Sequence, residues 1–146
     1  MLPQRVLEEI NSNRQRYVAE LTEFLRIPSV STDSEYAQNT RQSAEWVVNK
    51  LKKLGFETEV RETAGHPVVC GHLVYDDSLP TLLIYGHYDV QPPDPLDECV
   101  TPPFSPNIRD GYIYARGATD NKGQCLTYLE AMEAILAVNG KLPLNV

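Results

Sequence analysis

The sequence predicts an α/β fold, a mixed sheet with helices on both faces. Three stretches place apolar residues at helical spacing, and two short ones have strand character. Between them, Thr81-Leu82-Leu83-Ile84-Tyr85 is a continuous apolar run. Such a run suits a strand covered on both faces, as in a sheet sandwiched by helices. A length of 146 residues fits one domain.

Residues 1–27 read as the first helix. Leu7, Ile10, Tyr17, Val18, Leu21, Phe24 and Leu25 recur at steps of three, four and seven, lining one face. Pro3 suits the first turn, and Pro28 forces Ile27 out of helical geometry. Residues 29–38 are polar and read as a loop. A second helix is expected over 39–54, with Ala44, Val47, Val48, Leu51 and Leu54 inward and Gly55 as its left-handed stop.

In 56–61 apolar and charged residues alternate, the pattern of a half-buried strand. A second strand follows over 68–75, after the turn Gly65-His66-Pro67, and 76–80 turns the chain into the apolar run. Residues 91–106 hold six prolines and must be irregular. Asp110-Gly111 is a two-residue hairpin signal. A third helix is expected over 121–138, with Leu126, Leu129, Met132, Ile135 and Leu136 inward and Asn139-Gly140 ending it. Residues 141–146 look like the opening of another strand, and ending there predicts a polypeptide cut short.

Thirteen basic against twenty acidic residues give a net charge of −7. With no basic run, this excludes a nucleic-acid or anionic-membrane surface. No apolar run nears the 18 or so residues of a membrane span. The N-terminus carries acids where a secretory signal would be apolar. Cys70, Cys99 and Cys125 are odd in number and form no CxxC pair, which argues against a disulfide framework or a zinc knuckle. The expected compartment is the cytoplasm.

Two stretches carry chemistry. In Gly86-His87-Tyr88-Asp89-Val90, His87 and Asp89 are two apart at a strand end and can lie side by side. A carboxylate there fixes the imidazole tautomer and strengthens it as a metal ligand or base. Taken alone, the pattern also fits a surface turn. In Arg116-Gly117-Ala118-Thr119-Asp120-Asn121-Lys122-Gly123, Asp120 falls at the expected N-cap of the third helix, which would account for it without further function. No P-loop, dinucleotide fingerprint or GxSxG elbow is present.

Together the two stretches resemble a known family. These are the co-catalytic di-zinc metallopeptidases that include carnosine-type dipeptidases, aminoacylase, succinyl-diaminopimelate desuccinylase and carboxypeptidase G. The matching residues are Leu83 to Pro92, Pro102-Pro103-Phe104, Arg109-Asp110-Gly111 and Arg116 to Gln124. Phe24 to Ser31 also looks like the family's first-helix exit. The wording GHYDVQP followed by RGATDNKGQ is most similar to the dipeptidase branch.

The resemblance implies that His87 ligates one zinc, that Asp120 bridges two, and that Asp89 is the catalytic acid orienting His87. It implies two Zn2+ per complete site, with Mn2+ or Co2+ as alternatives, activating water for attack on an amide bond. The implied substrate is a dipeptide or an N-acyl amino acid, and the parent enzyme is in some cases homodimeric. The family's Glu-Glu pair, a later acidic ligand and a distant histidine have no counterpart in the sequence. The expected unit is therefore a partial catalytic domain over 1–146, truncated before the Glu-Glu strand, without a dimerisation domain and inactive alone. Ala115 and Cys99 depart from residues usual in relatives.

The competing reading is a non-catalytic truncated paralogue acting as a folding or interaction module. A hydrolase with Cys125 or Cys70 as nucleophile finds no histidine in a recognisable pairing. His66 is read as solvated, His72 as a satisfied strand residue, and Lys122 as equally well explained by helix-start solvation.

Overall fold

The computed structural model describes residues 2–146; Met1, where the first predicted helix begins, lies outside them. Helix α1 spans Leu2–Leu25, α2 Ala37–Lys53 and α3 Lys122–Asn139. Each lies within three residues of its sequence-derived bounds. The α1 stop follows from Pro28, and the chain leaves helical bonding through Ile27 N–H to the Phe24 carbonyl at 3.4 Å. Gly55 and Gly140 both have positive φ, 87° and 73°, so both helix exits use the conformation glycine permits.

Strand β1 (Glu57–Arg61) pairs antiparallel with β2 (Val68–His72), and β3 (Asn107–Arg109) with β4 (Tyr112–Tyr114). Asp110 and Gly111, at φ 51° and 80°, make the expected hairpin turn. The α/β class stands, carried by two separate two-stranded ladders.

The apolar run departs from expectation. Thr81–Tyr85 is not a covered strand: Leu83 is 90% and Tyr85 82% exposed. Its neighbours are a parallel bridge from Thr81 to Asn145 and, further on, one from Val90 to Val30. A strand is buried on both faces only when it sits inside a sheet covered by other elements above and below, and among the described residues Leu83–Tyr85 belong to no sheet. Residues 142–146 likewise form bridges rather than a strand, with Leu82 N–H donating to the Asn145 carbonyl at 2.8 Å.

The core is built around α3, with Leu21 of α1 and Trp46 and Leu51 of α2 packed against it. Phe56, Leu126, Leu129, Met132 and Leu142 cluster there, with Ile135 and Leu136 half-buried against them. Phe24 is fully buried and stacks on Trp46 at 4.2 Å between centroids. Leu7, expected inward, is exposed. The three helices are also joined by charge. Lys50 Nζ, almost wholly buried, donates to Glu20 and Glu133 at 2.5 Å each, and Arg16 spans the same two carboxylates. Burial works against the Lys50 charge, but the two carboxylates outweigh it and hold its pKa above the ordinary value.

Candidate functional site

The segment 24–31 leaving α1 is the platform for both chemical stretches. The Val30–Val90 bridge sets them in register, with Val90 N–H donating to the Ser29 carbonyl at 2.9 Å. That register puts Ser29 and Ser31 beside Tyr88 and Asp89. Ser29 Oγ donates to the Tyr88 carbonyl at 2.7 Å, and Ser43 Oγ of α2 reaches the same oxygen at 2.9 Å. Ser31 Oγ donates to Asp89 Oδ2.

The sequence-predicted site residues come together. His87 Nδ1 lies 3.0 Å from Asp89 Oδ1, and His87 Nε2 lies 3.1 Å from Asp120 Oδ1. Residues 87 and 120 approach because the Gly117–Lys122 loop folds back under the 86–90 segment. Gly117 has φ 84° and sits where a Cβ would meet Val90 Cγ1 at 2.8 Å, so glycine is required there twice over. The Asp120–Asn121 peptide is cis.

Asp120 does not cap α3. The N-cap is Asn121, whose side chain makes no capping bond; instead its Oδ1 accepts from His87 N–H at 3.3 Å and from Cys125 Sγ at 2.9 Å. The Asp120 side chain is 72% exposed and turned toward the imidazole. Capping is a local bond to the helix's own amides, and here the carboxylate faces the ring instead.

Lys122 is not solvated. It is 0% exposed and its Nζ donates to the carbonyls of Phe24, at 3.0 Å, and Ile27, at 2.7 Å. It thus satisfies acceptors at the end of α1 and ties the Asp120 loop to that helix. Burial pushes its ammonium down to about 7, with Asp89 acting in the opposite direction. His66 is half-buried rather than solvated, and its Nε2 donates to the Ser31 carbonyl at 2.8 Å. Burial raises the pKa of the Cys125 thiol, which favours a protonated donor over a nucleophile.

Serines 29, 31 and 43 and Asn121 escaped the sequence reading. A signal for two of them was available. Ser29 and Ser31 are two apart in an extended stretch, the spacing that marked His87 and Asp89, but which segment they would face depended on the Val30–Val90 register.

The site offers donors of the kind that the implied zinc would take. One imidazole nitrogen and one carboxylate oxygen converge, the other ring nitrogen is engaged by Asp89, and the Asp120 carboxylate is open to solvent. These are donors zinc accepts. Among the described residues no group of three or more His, Cys, Asp or Glu is arranged to hold a metal. The residues fit as a partial ligand set.

Known proteins show the same arrangement of sequence and fold. Residues 83–146 match Peptidase family M20/M25/M40. The match begins in the apolar run and includes His87, Asp89 and Asp120. The chain is 33% identical to the Cys-Gly metallodipeptidase of Schizosaccharomyces pombe over 97% of its length and 32% of the relative's. It is 30% identical to the human Beta-Ala-His dipeptidase over 99% of its length and 31% of the relative's. The structure of human carnosine dipeptidase 1 superposes with a TM-score of 0.90 at 30% identity, covering 99% of this chain and 33% of that one. The structure of the dipeptidase Dug1p from Saccharomyces cerevisiae gives 0.86 at 29% identity, over 97% and 33%. The chain therefore spans about a third of the length of the relatives it matches. The resemblance read from GHYDVQP and RGATDNKGQ is borne out, and so is the α/β class. No helix among the described residues is long and apolar enough to cross a membrane.

Proposed function

We propose that this chain contributes one part of a di-zinc hydrolase site, acting within a longer M20-type enzyme on the amide bond of dipeptides or N-acyl amino acids. The observation that carries the reading is the placement of His87 Nε2 and the Asp120 carboxylate 3.1 Å apart, with Asp89 on the far ring nitrogen. The metallodipeptidases and dipeptidases among its relatives support the substrate class.

Each residue has a role that follows from its contacts. His87 and Asp120 would hold the metal. Asp89 accepts from Nδ1–H, keeping the Nε2 lone pair directed at the site. Lys122 and Asn121 fix the loop that carries Asp120. Zinc, when bound, would supply an activated water at neutral pH and polarise the scissile carbonyl. Two protein donors fall short of the four zinc prefers, so the remaining ligands and the general base belong to residues outside 1–146. The same reasoning makes 1–146 a partial catalytic domain. The cysteine usage supports a cytoplasmic setting.

Zinc titration of the 146-residue chain by calorimetry tests the assignment. The expected result is weak binding to the wild type that is abolished in both His87→Ala and Asp120→Ala. Binding unchanged in either variant overturns it.

A further inference from the structure

We infer that Ser31 is a positioning residue of this site, holding Asp89 so that Asp89 can hold His87. The inference rests on the metal-site reading above and extends it by one link.

Asp89 has two carboxylate oxygens, and each has a separate task. Oδ1 faces His87 Nδ1 at 3.0 Å, while Oδ2 accepts the Ser31 hydroxyl. An aspartate that orients an imidazole must itself be fixed, because χ2 of Asp is a broad, nearly twofold torsion that one bond does not pin. A second bond, on the other oxygen, removes that freedom and sets the carboxylate plane. Ser31 is the only side-chain donor on Oδ2 among the described residues.

Ser31 can act in this way because its own backbone is held. On one side the Val30–Val90 bridge ties the segment to the extended stretch that carries Asp89. On the other, His66 Nε2 donates to the Ser31 carbonyl at 2.8 Å, anchoring it to the β1–β2 connection. That connection is also tied to the site by the Tyr88 hydroxyl, which donates to the Pro67 carbonyl. A continuous series therefore runs from His66 through Ser31, Asp89 and His87 to Asp120. Outer partners of a metal-ligating histidine shape its affinity through just such bonds.

The test uses an isosteric pair. Ser31→Thr keeps the hydroxyl and Ser31→Val has the same shape without it, with Ser31→Ala as a third variant. The readout is the His87 Nδ1-bound proton in 15N-selective NMR of the metal-free chain. A merely structural role would not separate Thr from Val on this signal. The expected result is a resonance sharp and protected from water exchange in wild type and Ser31→Thr, and broadened by exchange in Ser31→Val and Ser31→Ala. Zinc affinity should fall about tenfold in the Val variant and be retained in Thr. An Nδ1–H signal as protected in Ser31→Val as in Ser31→Thr overturns the inference. If zinc leaves the wild-type His87 signals unmoved, the metal-site reading fails, while the Thr–Val comparison still decides what Ser31 does.

Discussion

The thiol of Cys125 occupies the space that a Cβ on Gly86 would need. The extended segment carrying His87 and the first turn of α3 meet at this contact, and Asn121 Oδ1 closes it at 3.1 Å from the same position. Gly86→Ala is expected to cost about 1–3 kcal/mol through overpacking. Cys125→Ala in the same chain should recover most of that loss. A double-mutant cycle by urea unfolding checks the coupling, and additive single effects would contradict it.

Gly123 faces a harder wall. A Cβ there would fall within 3.0 Å of the backbone carbonyl of Ala118, which cannot rotate aside as a side chain does. Gly123→Ala should therefore displace the 118–120 loop as well as destabilise the fold. Expected are a lower thermal midpoint and shifted amide signals at Thr119 and Asp120, with the β3–β4 hairpin unchanged.

Replacing Lys122 tests the link between the Asp120 loop and α1. Lys122→Ala removes two bonds to the Phe24 and Ile27 carbonyls and leaves a cavity beside the Phe24 ring. The expected loss is about 2–4 kcal/mol, measured by denaturant unfolding. A solvated lysine would cost almost nothing.

Glu130 predicts a pH dependence. Burial pushes its carboxyl from 4.5 up to about 7; the charge of Lys50 opposes this and Glu20 and Glu133 reinforce it. Its Oε1 is buried without a hydrogen-bond partner among the described residues. The folded state therefore holds this proton more tightly than the unfolded chain. Its contribution to stability is full below pH 4.5 and is lost as the pH rises through about 7. Glu130→Gln stays neutral, so its thermal midpoint relative to wild type should be higher at pH 8 than at pH 5. A difference independent of pH would refute the assignment.

Local rules carried the sequence reading far. Glycine stops, the Asp110-Gly111 hairpin and the helical stripe of α3 depend on neighbours within a few residues, and each lies where expected. His87 and Asp89 were legible because period-two spacing is a property of extended chain. What escaped depended on contacts across the fold. Leu83 and Tyr85 have the composition of a covered strand, but cover is supplied by other segments. Lys122 looked like any lysine at a helix start, and only the position of Phe24 and Ile27, some 95 residues away, makes it a buried donor. Asp120 had the right residue type for a cap, yet the turn of the chain aimed it at His87.

The Tyr88 carbonyl accepts two serine hydroxyls, from Ser29 and Ser43, and so has both lone pairs engaged. The peptide plane between Tyr88 and Asp89 cannot rotate without abandoning both bonds at once. The conformational entropy of this segment is thus surrendered when the chain folds, not when something binds. A ligand arriving at His87 meets a frame already set, and its affinity is spared the cost of ordering it.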